Sequence, residues 1–169
     1  MATVSQLAKG GVNAIGGHNV ISTGDAGAHT TTTGNDTTPV VTETYIARVF
    51  MPVNASLTGV SLLNGSAVAG NVVGILYNSD GVPIAQTAST AQSGTAGYQQ
   101  IPFTAPINIQ GPGRYWVGFQ FNNVSARFRT HIVGNFPAFK KTGETFGTAT
   151  ALTPVITFTT AVGPIAATY

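Results

Sequence analysis

The groups this chain could bring to bond-making chemistry are few: three histidines (His18, His29, His131), five carboxylates (Asp25, Asp36, Glu43, Asp80, Glu144) and no cysteine. A glycosidase needs two acids facing each other across a cleft. Asp25 and Asp36 fall in a glycine-punctuated N-terminal segment and Asp80 belongs to an Asp-Gly turn, which leaves only Glu43 and Glu144. The histidines show no His-x-His or His-x3-His spacing, and without thiolates no zinc set can be completed. No Gly-x-Ser-x-Gly elbow and no phosphate-cradling Gly-x4-Gly-Lys-Ser/Thr loop occurs. The expectation is a protein that is not an enzyme and takes no cofactor and no metal.

Binding chemistry has more to work with. In the run Arg114–Phe121, Tyr115, Val117, Phe119 and Phe121 share one face of an extended strand, while Arg114, Trp116, Gly118 and Gln120 share the other. An aromatic flanked by hydrogen-bonding groups can hold a sugar ring or a partner surface, so Arg114, Trp116 and Gln120 are candidate binding residues. The competing role for Trp116 is packing under a loop or against a second sheet. Arg127, Arg129 and His131 form a second alternating set, opposite Phe128 and Thr130. Arg127 and Arg129 are candidates to meet an acidic partner, against the commoner role of a solvated face.

These residues sit on strands. Thr44–Met51 is rich in β-branched and aromatic residues and stops at Pro52. Leu57–Leu63 ends at Asn64-Gly65, a turn signal, and Asn71–Tyr77 and Val82–Thr87 flank Asn78-Ser-Asp-Gly81, the clearest hairpin. Tyr98–Phe103, Ile107–Ile109, the turn Gly111-Pro-Gly113, Arg114–Phe121 and Ser125–Ile132 follow. A loop through Gly134, Pro137 and Gly143 precedes Val155–Phe158 and a closing apolar segment, 162–169. Strand-like runs with turn signals every ten or so residues predict an all-β fold, a jelly-roll-like antiparallel β-sandwich over residues 44–169.

Residues 1–43 read differently. Glycines punctuate them, and Leu7, Val12, Ile15, Val20 and Ile21 stand as isolated apolar anchors. Such a segment cannot bury enough surface to offset its own ordering entropy. It is expected to be an extended N-terminal arm whose anchors dock on a neighbouring subunit. Charged residues are only 7% of the chain, against about 25% in an ordinary soluble domain. That composition favours a surface covered by assembly or a neutral polar face used in binding, with homo-oligomers expected. Seven scattered Lys and Arg make no phosphate-binding cluster, so nucleic acid is not an expected partner. No run approaches the roughly 20 apolar residues of a membrane-spanning helix. The first nine residues lack the basic start and apolar run of a secretory signal, so retention in the cytoplasm, or release by a route other than secretion, is expected.

Three stretches carry a resemblance: Leu76–Ala85, Gly111–Gly118 and Thr157–Ala166. Over residues 44–169 the chain is similar to small β-sandwich virion proteins of tailed bacteriophages and prophages. That resemblance implies a virion component assembled in the host cytoplasm. It would be a capsid decoration or cement protein contacting the major capsid protein or another virion protein, as a homo-oligomer, in trimers at three-fold positions. A carbohydrate- or receptor-binding module of a head or tail fibre is the other role it implies. No catalytic motif comes with it.

Overall fold

The computed structural model describes residues 12–15, 18–22, 34–131, 138–152 and 163–169, the first two stretches as backbone. In chain order the strands are β1 (Val12–Ile15), β2 (His18–Ser22), β3 (Asn35–Thr37), β4 (Glu43–Met51), β5 (Ala55–Leu63), β6 (Asn71–Tyr77) and β7 (Pro83–Gln86). They continue as β8 (Thr90–Ala91), β9 (Tyr98–Ile109), β10 (Gly113–Phe121), β11 (Phe128–Thr130), β12 (Ala138–Thr142) and β13 (Ala166–Thr168). The fold is all-β, as expected, and its strand pairs are antiparallel. One sheet runs β1-β2-β13-β5-β9, a second runs β12-β4-β10-β6-β7 with β8 also on β6, and β3 and β11 form a small ribbon. Among the described residues no helix is long and apolar enough to cross a membrane.

The core lies between the two large sheets. β10 behaves as its alternation demands: Val117, Phe119 and Phe121 face inward with Tyr45, Val49 and Met51 of β4 and Val72 and Leu76 of β6. Against them pack Leu57, Val60 and Leu62 of β5 and Ile101 and Phe103 of β9. Burying each such side chain contributes roughly 1.5–3 kcal/mol. Gly74 sets how close the sheets come: a Cβ there would lie 2.4 Å from Val60 Cγ2. Tyr45, Phe121 and Phe128 close one end, with Phe121 and Phe128 stacked at 4.8 Å. The β6–β7 hairpin forms at the Asp-Gly turn, where Gly81 takes φ +79° and Asn78 Oδ1 accepts the N–H groups of Asp80 and Val82.

Four local expectations change. Tyr98–Phe103 and Ile107–Ile109 are one strand, β9, because Pro102 and Pro106 lie on a sheet edge that tolerates their missing donors. Ser125–Ile132 contracts to β11, since Asn123 captures the N–H groups of Ser125 and Ala126 in a turn. Asn64-Gly65 is not a hairpin turn: Asn64 is fully buried, and Gly65 is needed because a Cβ would meet the Asp36 carboxylate and Arg127. The stretch expected to be a loop contains β12, an edge strand whose Lys140 and Lys141 hide its alternation. Val155–Phe158 lies outside the described residues.

The described strands of segment 1–43 pair within the chain. β1 and β2 form a hairpin, and β2 joins β13 through Ser22↔Ala167 and Ile21↔Thr168. β3 pairs with β11. Leu7 and the side chains of Val12, Ile15, Val20 and Ile21 lie outside the described residues.

Candidate functional site

Because side chains alternate across a strand, the core-facing residues of β4, β6 and β10 leave a second set pointing away from the sandwich. On β4 these are Thr44, Ile46, Arg48 and Phe50; cross-strand register sets them beside Gln120, Gly118, Trp116 and Arg114 of β10. Val73, Ile75 and Tyr77 of β6 continue the row beyond Gln120, Gly118 and Trp116.

One end of this face is roofed by the segment 143–152. Leu152, with Phe146 and Ala149, packs on Ile46, Val73, Ile75, Tyr77 and Phe139 to make a second, smaller apolar cluster. Gln120 is 1% exposed and stitches the roof down. Its Nε2 donates to Thr44 Oγ1 (2.9 Å) and the Thr148 carbonyl (3.1 Å), and its Oε1 accepts the Gly147 N–H (2.9 Å). The Glu144 carboxylate, buried beneath, accepts from Lys141 Nζ (2.9 Å) and the Thr150 hydroxyl (2.8 Å). Gln120 is therefore a structural residue rather than the surface binding group its alternation suggested.

Toward the other end the roof stops. Trp116 meets Phe139 edge-on at 5.5 Å and is half-buried against the small cluster, so it packs as well as faces outward. Arg114 is exposed and Phe50 is 55% exposed, beyond Ala47 where the pairing of β12 with β4 ends. Register sets Arg48 opposite Trp116 and Phe50 opposite Arg114, so cations and rings alternate in a two-by-two checkerboard. Among the described residues neither arginine has a hydrogen-bonding or ion-pair partner. Burial, and secondarily the Arg114 charge, lower the Arg48 pKa. Beside Arg114 opens a cleft of about 390 Å³, lined by Asn78, Ser79, Gln110, Pro112, Gly113 and Tyr115. Its wall is pinned: the Tyr115 hydroxyl donates to the Gln110 carbonyl (2.8 Å), and Asn54 Oδ1 accepts the Gly111 N–H (2.8 Å).

The second candidate set is differently placed. Arg129 Nε stands 3.9 Å from Asp36, whose carboxylate also accepts from the Ser66 hydroxyl and N–H. Burial opposes ionisation of Asp36, but the Ser66 bonds and the charges of Arg129 and Arg127 outweigh it and lower its pKa. Arg127 Nη1 donates to the Val124 and Ala126 carbonyls. His131 is buried, and its N–H donates to the Gly163 carbonyl. This set serves the fold as a partly neutralised cluster and is not an open basic face.

Of the remaining described acids in the sandwich, Glu43 is similarly occupied and Asp80 is not. Glu43 takes Lys140 Nζ (2.7 Å) and the Tyr45 hydroxyl (2.6 Å), while Asp80 stands exposed in its turn. Asp25 and His29 lie outside the described residues. Arg48 and Phe50 went unremarked in the sequence. Their alternation against Tyr45, Val49 and Met51 was the available signal, but only the β4–β10 register brings them to Arg114 and Trp116.

Residues 47–153 match the model of one protein family, described as a domain of unknown function (DUF4082). No curated protein and no solved structure matches the chain.

Proposed function

We propose, for a chain that belongs to the DUF4082 family, that it serves as a structural component of a phage particle, a capsid decoration or cement protein. One observation carries the reading. Among the four described acids, Asp36, Glu43 and Glu144 are tied to cations or hydroxyls of their own fold and Asp80 stands exposed in its turn, which favours surface over paired-acid chemistry as the working part. The resemblance of residues 44–169 to phage sandwich proteins supplies the setting. In this role the chain forms homo-oligomers, trimers at three-fold positions, and contacts the major capsid protein after assembly in the host cytoplasm. Arg129, Lys140 and Lys141 are already in internal ion pairs, so attachment away from the Arg48 and Arg114 patch rests on apolar and neutral polar contact. Purified particles should then contain the chain at capsomer-like copy number and keep it from low to moderate salt. Its absence from particles, or its release by moderate salt, would contradict the proposal.

The checkerboard favours a second reading, a carbohydrate- or receptor-binding module of a head or tail fibre. An exposed aromatic beside arginines that have no partner among the described residues is a surface suited to being covered. Pull-down of host cells by the full chain tests this reading.

A further inference from the structure

The geometry points to Arg48, Phe50, Arg114 and Trp116, together with the adjoining cleft, as a binding site for a carboxylate-bearing saccharide. The inference rests on the second reading above and assigns its ligand chemistry.

Charge comes first. Arg48 and Arg114 are diagonal neighbours on adjacent strands, a separation of about 7–8 Å between backbone positions. Like charges held this close repel one another, and no described carboxylate stands within ion-pair distance of either. Elsewhere among the described residues Arg129, Lys140 and Lys141 each have an acid at hand. An anion relieves the repulsion, and a carboxylate matches the planar donor fork of a guanidinium.

The rings say what carries the anion. Phe50 and Trp116 occupy the other diagonal, and each lies directly opposite an arginine. A pyranose presents a face of C–H groups that stacks on an aromatic ring while its edge hydroxyls and carboxylate point outward. The cleft beside Arg114 offers the side chains of Asn78, Ser79 and Gln110 to hydroxyls of a neighbouring sugar unit, and its 390 Å³ falls within the range of small-ligand pockets. A nucleic acid would need cations tracking successive phosphates. Among the described residues the unpaired cations are Arg48 and Arg114, with Arg127 turned onto backbone carbonyls.

The single tryptophan is a reporter inside the site. The full chain is titrated with an oligogalacturonate, a neutral oligosaccharide of equal length, a single-stranded oligonucleotide and a polyglutamate peptide, following Trp116 fluorescence and calorimetric heat. The oligogalacturonate should bind, shift the emission and weaken with salt. Arg114→Gln and Arg48→Gln should each weaken it about tenfold or more, and Phe50→Ala comparably. Arg114 is exposed, so Arg114→Gln retains the fold and decides the matter if Arg48→Gln does not fold. Equal affinity for the neutral sugar, preference for the oligonucleotide or the peptide, indifference to Arg114→Gln, or no binding at all overturns the assignment. Host-cell pull-down separates the failures. A wild-type chain that ignores cells sinks the second reading itself; cell binding that survives Arg48→Gln/Arg114→Gln sinks only this site.

Discussion

Tyr77 shows how much one polar atom decides on this sheet. Its ring lies over Gly118, where a Cβ would come within 3.0 Å of Cε2, and the side chain is fully buried. The hydroxyl has no hydrogen-bond partner among the described residues. An unpaired buried hydroxyl costs about 1–3 kcal/mol, whereas the phenyl ring without it keeps the packing. Tyr77→Phe should therefore stabilise the chain by about 1 kcal/mol in urea unfolding; a loss of stability would mean that the hydroxyl has a partner. The buried amides behave in the opposite way. Asn64, Gln92 and Gln99 bond to one another and to the carbonyls of Ser93, Arg127 and Ala91, so each is satisfied. Nothing in the sequence marked their burial: Asn64 reads as part of a turn, Gln92 as Ser/Thr/Gly-rich loop and Gln99 as the polar side of a strand.

At the scale of elements, the strands that read correctly from the sequence are those whose residue types alternate or whose turns are marked, even where both faces are buried. β10 declared its core face through Tyr115, Val117, Phe119 and Phe121, and β6 and β7 were set by the Asp-Gly turn between them. β12 was missed because Lys140 and Lys141 answer to Glu43 and Glu144, partners distant in sequence or buried under a roof no local pattern announces. For the same reason alternation made Gln120 look exposed: it leaves the core correctly, but the segment 143–152 covers it. That roof depends on Glu144. Removing this buried carboxylate takes the counter-charge from Lys141, which keeps only the Thr150 hydroxyl and the Ala151 carbonyl, and the acceptor from Thr150, a loss of about 3 kcal/mol. Glu144→Ala should lower stability by that amount and shift Trp116 emission to the red as the roof loosens. Unchanged emission with lowered stability would show that the roof holds without it. The contact between sheets is equally specific. Gly74→Val drives a side chain into Val60 and should cost about 1–3 kcal/mol or prevent folding, whereas the same change at the exposed, uncrowded Gly94 meets no neighbour. Because Gly94 has φ +79°, its substitution should show backbone strain alone.

For the whole molecule, scarcity of charge shifts the control of pH stability from carboxylates to tyrosines. On the acid side, the depressed Asp36 pKa supports the folded state above its unfolded value. That support is lost only as pH falls below the ordinary carboxylate range. On the alkaline side, burial raises Tyr45, Tyr77 and Tyr169 above the usual 10.0 and pushes Tyr98 up to about 12. A raised tyrosine favours the folded state fully below pH 10 and withdraws that support as pH climbs through its folded value. Each such group takes away up to about 1.4 kcal/mol per pH unit. Tyr45 and Tyr77, 3% and 0% exposed, together remove on the order of 5 kcal/mol between pH 10 and 12, comparable to the stability of a whole domain. Tyrosinate absorbance and β circular dichroism should therefore change together in one steep step above pH 10, with little change from neutral pH up to that point. Gradual ionisation of Tyr45, Tyr77 and Tyr98 near pH 10 in a chain that keeps its β signal would show that these rings are not held in a dry core.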